Sequence, residues 1–302
     1  ALDAPPPEWT AAPEKSHADG LYNEASDADY EAAEQFCSDH PPDPPRLLPS
    51  HTIDRIAAVG CAAWGLDWPN NKRFVGRISN SSEAKGGQAV TRVETEDACG
   101  DTCLLSDFPI TAGLYDTRGK AGVYFEVTID WMDANGVIAV GTSSRPYPSW
   151  RLPGWNRLSA GLHLDDCRKF FEDPDGGRDY TPLLAPGQVR PGDVVGCGLV
   201  FPTSTSTSLS SDAGPRTSAI FYTYNGMRLP DAFKGVYLPR GAHDVYAAIG
   251  VSGRTALSVN FGGETFRWKE GNEWAWRVEG HVGQLAAGPS ADEELPTYSQ
   301  AR

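Results

Sequence analysis

Four things are missing from this sequence, and each absence excludes a class of function. No apolar run is long enough to cross a bilayer: the longest mostly apolar stretch, Ile56 to Leu66, is about 11 residues, and a spanning helix needs roughly 20. No secretory leader pattern is visible at the start, so membrane attachment would have to come from an anchor preceding Ala1. No cluster of Lys and Arg forms a basic patch, which argues against DNA or RNA as a ligand. The signatures of catalysis are also missing. There is no G-x-S-x-G, no phosphate-binding loop, no metal-ligand cluster, and no strand with the Glu-x-Asp-x-Glu pattern of a sandwich glycosidase. The expectation is a protein that is not an enzyme and uses no cofactor.

Cysteine is sparse and scattered, at positions 37, 61, 99, 103, 167 and 197. Only Cys99 and Cys103 are close, and no histidine flanks them at zinc-finger spacing. Scattered thiols among strands fit the reduced core cysteines of an intracellular protein.

Charge divides the chain. The 302 residues carry a net charge of −14, of which residues 1–50 hold −9, from eleven acids against Lys15 and Arg46. The same segment has nine prolines and little apolar content, so most of it is expected to be disordered. Asp27 to Cys37 is the exception. Tyr30, Ala33 and Phe36 recur at helical spacing behind Asp27, a candidate N-cap, and a short helix docking on the domain is expected. His51 to Gly65 is a second candidate helix. Residues 281–302 are small, polar and acidic, and read as a disordered tail.

Residues 51–280 form the folded part, and strand signals dominate it from Phe74 onward. Short strands are expected over Phe74–Ile78, Ala89–Val93, Asp107–Ile110, Val137–Gly141, Ser159–Leu164, Val194–Phe201, Ala219–Tyr224, Val245–Val251 and Ala256–Phe261. The clearest is Gly122 to Asp130. There Val123, Phe125, Val127 and Ile129 alternate with Tyr124, Glu126 and Thr128, the pattern of a half-buried strand. Asn225-Gly226 marks a type I′ hairpin, since both central residues need φ > 0. Frequent short strands without a long amphipathic helix mean an all-β, two-sheet antiparallel sandwich. Thr203 to Ser211, rich in Ser and Thr, reads as an insertion between two strands.

The stretch from Arg145 to Phe171 is the most informative. Pro146, Pro148 and Pro153 forbid a helix, yet Trp150, Leu152 and Trp155 need cover. Such a loop must lie across a sheet or present a binding surface. Tyr147, Trp150, Arg151, Trp155 and Arg157 are the candidate protein-binding residues, because aromatic and arginine side chains anchor most interfaces. Core packing is the competing role for Tyr147, Trp150 and Trp155. His163 reads as a packed histidine, and Asp165 and Asp166 as turn formers.

In order along the chain, GVYFEVTI, GVIAVGTSSRPYPSWRLPGWNRLSAGLHLDDCRKF, GDVVGCGL, IFYTYNGMRLPDAF and VYAAIGVSG resemble the successive strands of a SPRY domain, over roughly Ala121 to Phe266. The RPYPSWRLPGWN segment further resembles the fungal Ssh4/Ear1-type adaptors. That resemblance implies a concanavalin-like sandwich that binds a cargo protein. It also implies C-terminal PY motifs that recruit the WW domains of a Nedd4-type (Rsp5) ubiquitin ligase at endosomal and vacuolar membranes. Cys167 departs from the family, standing where its hairpin usually has glycine. Leu295-Pro296-Thr297-Tyr298 is an L-P-x-Y sequence similar to a PY ligand: Pro296 favours polyproline II and Tyr298 fills the adjoining pocket. Two function classes follow. One is a cargo-binding ligase adaptor, sited on endosome or vacuole membranes. The other is a lectin-like or small-ligand binder, which on its own would be cytoplasmic. The L-P-x-Y tail discriminates for the first.

Overall fold

The computed structural model describes residues 26–80, 90–117, 119–201, 217–237, 243–280 and 282. Two antiparallel sheets stack face to face. The strands are β1 (Gly76–Ser79), β2 (Thr91–Thr95), β3 (Thr102–Leu105), β4 (Gly122–Met132), β5 (Val137–Ser143), β6 (Ala160–His163) and β7 (Arg168–Phe171). They continue as β8 (Arg178–Asp179), β9 (Val194–Val200), β10 (Thr217–Tyr224), β11 (Met227–Tyr237), β12 (Tyr246–Ser252) and β13 (Thr255–Asn260). A seven-stranded sheet has the order β1-β2-β13-β4-β9-β10-β11, and a six-stranded sheet the order β3-β12-β5-β6-β7-β8. The chain is an all-β sandwich with short N-terminal helices.

The alternation in β4 faces the core as expected. Val123, Phe125, Val127 and Ile129 are all buried between the sheets, where they meet Ile138, Val140, Leu162 and Ile249. The opposite face departs from the expectation of a half-buried strand, because Tyr124 and Glu126 are buried too. The covering segment follows β13. Phe266, Trp268 and Trp276 pack on Tyr124 and Phe221, and short 3-10 turns at Lys269–Asn272 and Trp274–Trp276 bring them there. Polar alternation was therefore not a sign of solvent.

The Asn225-Gly226 turn joins β10 to β11 with φ of 50° and 82°, both positive as a I′ turn requires. Asp107–Ile110 is not a strand. The Asp107 carboxylate there accepts from the Gly65 and Phe108 amides, a local arrangement that competes with strand pairing. The neighbouring strand is Thr102–Leu105 instead.

Within residues 1–50, expected to be mostly disordered apart from a short helix over Asp27–Cys37, the structure describes 26–50. α1 (Asp27–Asp39) starts at Ser26, whose side chain accepts from the Asp29 amide, so the N-cap is one residue before the Asp27 expected. α2 (Ser50–Val59) buries Thr52 and Ile56. The helix expected over Asp27–Cys37 is α1, and it docks on the Pro-rich loop described next. The Ser/Thr segment 203–211 and the L-P-x-Y tail lie outside the described residues, as does all of 1–25.

Candidate functional site

The loop from Ser144 to Leu158 lies flat over the outer face of the six-stranded sheet. Leu152 and Trp155 pack with Val137 and Phe170, and Tyr147 packs with Cys103 and Ala248. Two glycines permit this approach. A Cβ on Gly161 would sit 2.2 Å from the Pro153 carbonyl oxygen. Gly154 has φ +96°, and a Cβ there would meet the Phe170 Cβ at 2.5 Å. His163 is sandwiched beneath the loop. Its ring stacks on Phe170 at 4.0 Å, Nε2 lies 2.9 Å from the Pro153 carbonyl, and burial lowers its pKa to about 4. It therefore stays neutral and structural at physiological pH.

Polar bonds fix the loop internally. The Tyr147 hydroxyl donates to the Leu152 carbonyl at 2.7 Å and accepts from the Asn156 amide at 3.3 Å. The Ser159 hydroxyl accepts from the Gly154 amide at 2.9 Å. Arg151 is 1 % exposed. Its guanidinium stacks on Trp155 at 4.4 Å and donates through Nε to Asn156 Oδ1 at 2.9 Å.

The five loop candidates therefore divide. Tyr147, Arg151 and Trp155 are buried, whereas Trp150 and Arg157 are half-exposed. The expected surplus of free aromatic and arginine groups shrinks to two side chains, because the loop must supply its own hydrophobic cover on the sheet. Both of the remaining side chains touch α1. Phe36 meets Trp150 edge-on at 5.6 Å, and Trp150 Nε1 donates to the Asp29 carbonyl at 3.4 Å. Arg157 donates to the Cys37 and His40 carbonyls at the end of the helix. Asn156 donates to Glu34 Oε1 at 2.9 Å. At the other end, Arg73 grips Asp29 with two bonds of 2.8 and 2.7 Å, which hold that carboxyl below the usual range.

A groove of 330 Å³ opens beside this contact, lined by Phe36, Asp43, Trp68, Pro69, Pro146 and Trp150. Trp68 is 64 % exposed and braces edge-on against Phe74 at 5.1 Å. Sequence reasoning missed Trp68, which sits in no motif. The helical spacing of Ala33 and Phe36 was the available signal for α1. Among the described residues, no group of three or more His, Cys, Asp and Glu side chains is placed to hold a metal ion. Also among them, no helix is long and apolar enough to cross a membrane.

Two sheets with a sheet-hugging aromatic loop define a class, and comparison with known families agrees with it. The SPRY domain model matches residues 122–264, from the start of β4 to just beyond β13. Over those residues the chain is similar to the SPRY family, and that likeness supports a sandwich that serves protein interaction. Protein ssh4 of Sclerotinia sclerotiorum is 28 % identical over 270 residues, covering 88 % of this chain and 43 % of that protein. Protein ssh4 of Botryotinia fuckeliana is also 28 % identical over 270 residues, covering 88 % of this chain and 42 % of that protein. A SPRY domain-containing protein of Schizosaccharomyces pombe is 31 % identical over 199 residues, covering 66 % of this chain and 44 % of that protein. The chain thus spans less than half the length of these relatives.

Proposed function

We propose that this chain is a non-catalytic adaptor. Its SPRY sandwich holds a cargo protein, and its tail recruits a Nedd4-type ubiquitin ligase for sorting from endosome to vacuole. The observation that carries this reading is Leu295-Pro296-Thr297-Tyr298, a WW-type ligand sequence placed after a SPRY domain of the Ssh4-like kind. Leu295, Pro296 and Tyr298 would dock in a WW groove by polyproline II recognition. The motif buries little area and lacks the first proline of a full PY ligand, so the affinity should be on the order of tens to hundreds of micromolar. Recruitment at that affinity needs a second contact, such as a shared membrane, acting through effective concentration.

The test is a titration of isolated Nedd4-type WW domains into the full chain and into its Tyr298→Ala variant. Binding is expected for the first and loss of binding for the second, with thermal unfolding unchanged. Equal binding by both, or none at millimolar concentration, would remove the support for ligase recruitment.

A further inference from the structure

α1 sits on the Pro-rich loop as a bound peptide would. It has five acids, Asp27, Asp29, Glu31, Glu34 and Asp39, and no base in its last turn. The loop and its neighbour supply the opposite charge. Arg73 pairs with Asp29 near the helix start, and Arg157 reaches the carbonyls at the helix end. A cation at that end complements the helix dipole, and α1 has none of its own. Between these ends, Ala33 is fully buried and Phe36 lies against Trp150.

The attachment is built for exchange rather than permanence. A helix of 13 residues is marginal on its own in water. Ala33 is its one fully buried residue, so most of what holds it is polar and half-exposed. The apolar core cluster between the sheets includes no residue of α1. The contact is also incompletely satisfied. Arg151 Nη1 is buried with no hydrogen-bond partner among the described residues. An incoming helix that placed one more acceptor there would gain what α1 leaves open.

We propose that the face formed by Trp150, Arg151, Asn156, Arg157 and Arg73 is a receptor for short acidic helices. In this view α1 is an intramolecular stand-in, displaced by such a helix from a partner protein. The partner segment is about three turns long, acidic along one side, with an aromatic residue near its C-terminal end and its last carbonyls over Arg157. This rests on the sandwich being a protein-binding module. It is independent of the tail, so binding here and WW binding are read separately.

The test uses the full chain and, as probe, a fluorescein-labelled peptide with the sequence of residues 26–40 carrying Cys37→Ser. Ala33→Glu forces a charged side chain into the buried contact and unseats α1. Faster amide exchange over 27–39, with the strands still protected, confirms that the sandwich stays folded. If the sandwich itself unfolds, Glu34→Lys serves in its place, since it removes the bond to Asn156 and opposes the arginines from an exposed position. Apparent affinity scales with the fraction of receptor that is uncovered, so a face that is free about a tenth of the time gains about tenfold on opening. The probe should therefore bind the unseated chain about tenfold tighter than the wild type. Adding Arg157→Ala should reverse that gain. A probe with Asp29→Lys and Glu34→Lys should not bind. Tyr298→Ala should leave all of this unchanged. Equal probe affinity for wild-type and unseated chains would overturn the proposal, as would equal binding of the charge-reversed probe. Concentration-dependent dimerisation of the unseated chain without any gain in probe binding would also overturn it, naming a second copy as the occupant.

Discussion

Glu126 offers the sharpest check on how the sandwich is closed. Its carboxylate is 4 % exposed on the outer face of β4. Three donors converge on it: the Tyr124 hydroxyl and the Trp268 amide on Oε1, at 2.8 and 2.9 Å, and the Arg267 amide on Oε2, at 2.8 Å. It thereby clips the segment after β13 onto the seven-stranded sheet. Glu126→Gln keeps one acceptor but turns an NH2 toward the Arg267 amide. A hydrogen bond to a charged group contributes about 1.5 to 3 kcal/mol, and a stranded buried donor costs about 1 to 3 kcal/mol. The glutamine variant should therefore lose about 2 to 3 kcal/mol. Glu126→Ala strands the Arg267 and Trp268 amides, while the Tyr124 hydroxyl can turn to Thr223 Oγ1 at 2.6 Å, and the clipped segment can relax toward water, which limits the loss to about 3 to 5 kcal/mol. Urea titration followed by tryptophan fluorescence reports this directly, since Trp268 and Trp276 lie under the clip, their rings 5.2 Å apart. A loss below about 1 kcal/mol for the alanine variant, with unchanged slope, would mean that the carboxylate is not what fastens the segment.

Two further outcomes can be measured on the same protein. Burial, with Asp166 alongside, raises the Asp165 pKa from 3.8 to about 7. The folded state therefore holds this proton more tightly than the unfolded chain, and the group's contribution to stability falls as pH rises from about 4 to about 7. Melting temperatures across that range should decline more steeply for the wild type than for Asp165→Asn, and parallel profiles would refute the assignment. Cys167 has φ +58° and is 3 % exposed, with its thiol 3.2 Å from the Ala185 carbonyl. Glycine is ordinarily the less stable replacement by about 0.5 to 1 kcal/mol, but the left-handed backbone reverses that order by about 1 to 2 kcal/mol. Cys167→Gly should be at least as stable as Cys167→Ala in urea, and the opposite order by more than about 1 kcal/mol would place this turn outside the left-handed region.

The sandwich was legible because its signals are local. The core-facing half of β4 reads directly from Val123 to Ile129, and the β10–β11 hairpin from Asn225-Gly226. Both depend on the strand's own period or on the φ a turn demands. The covering layers were not legible. Tyr124 and Glu126 look like solvent residues until Phe266, Trp268 and Trp276 arrive from more than 130 positions away. The same limit applied to the loop candidates. Tyr147, Arg151 and Trp155 have the composition of an interface, but a loop laid on a sheet needs the same residues to seal its own underside. Composition cannot separate the two uses, because both bury aromatic area and satisfy arginine donors.

The acidic N-terminal segment shows why that ambiguity matters for function. Its prolines and acids cannot support an independent core, and helical spacing rather than composition marks Asp27 to Cys37 as the ordered part. They are ordered because the loop provides what they lack: Arg157 for the helix end, Trp150 for Phe36 and Asn156 for Glu34. Order that is borrowed in this way is conditional on the lender. A segment with little stability of its own gives up a contact at small cost, whereas a strand of the sandwich gives up its pairing only on global unfolding. The groove lined by Phe36, Trp68 and Trp150 lies at the edge of that conditional contact, so movement of α1 would change its walls. A partner bound there would sense whether α1 is seated. On the proposed reading, the binding face would thus be set by the segment that covers it as much as by the loop that forms it.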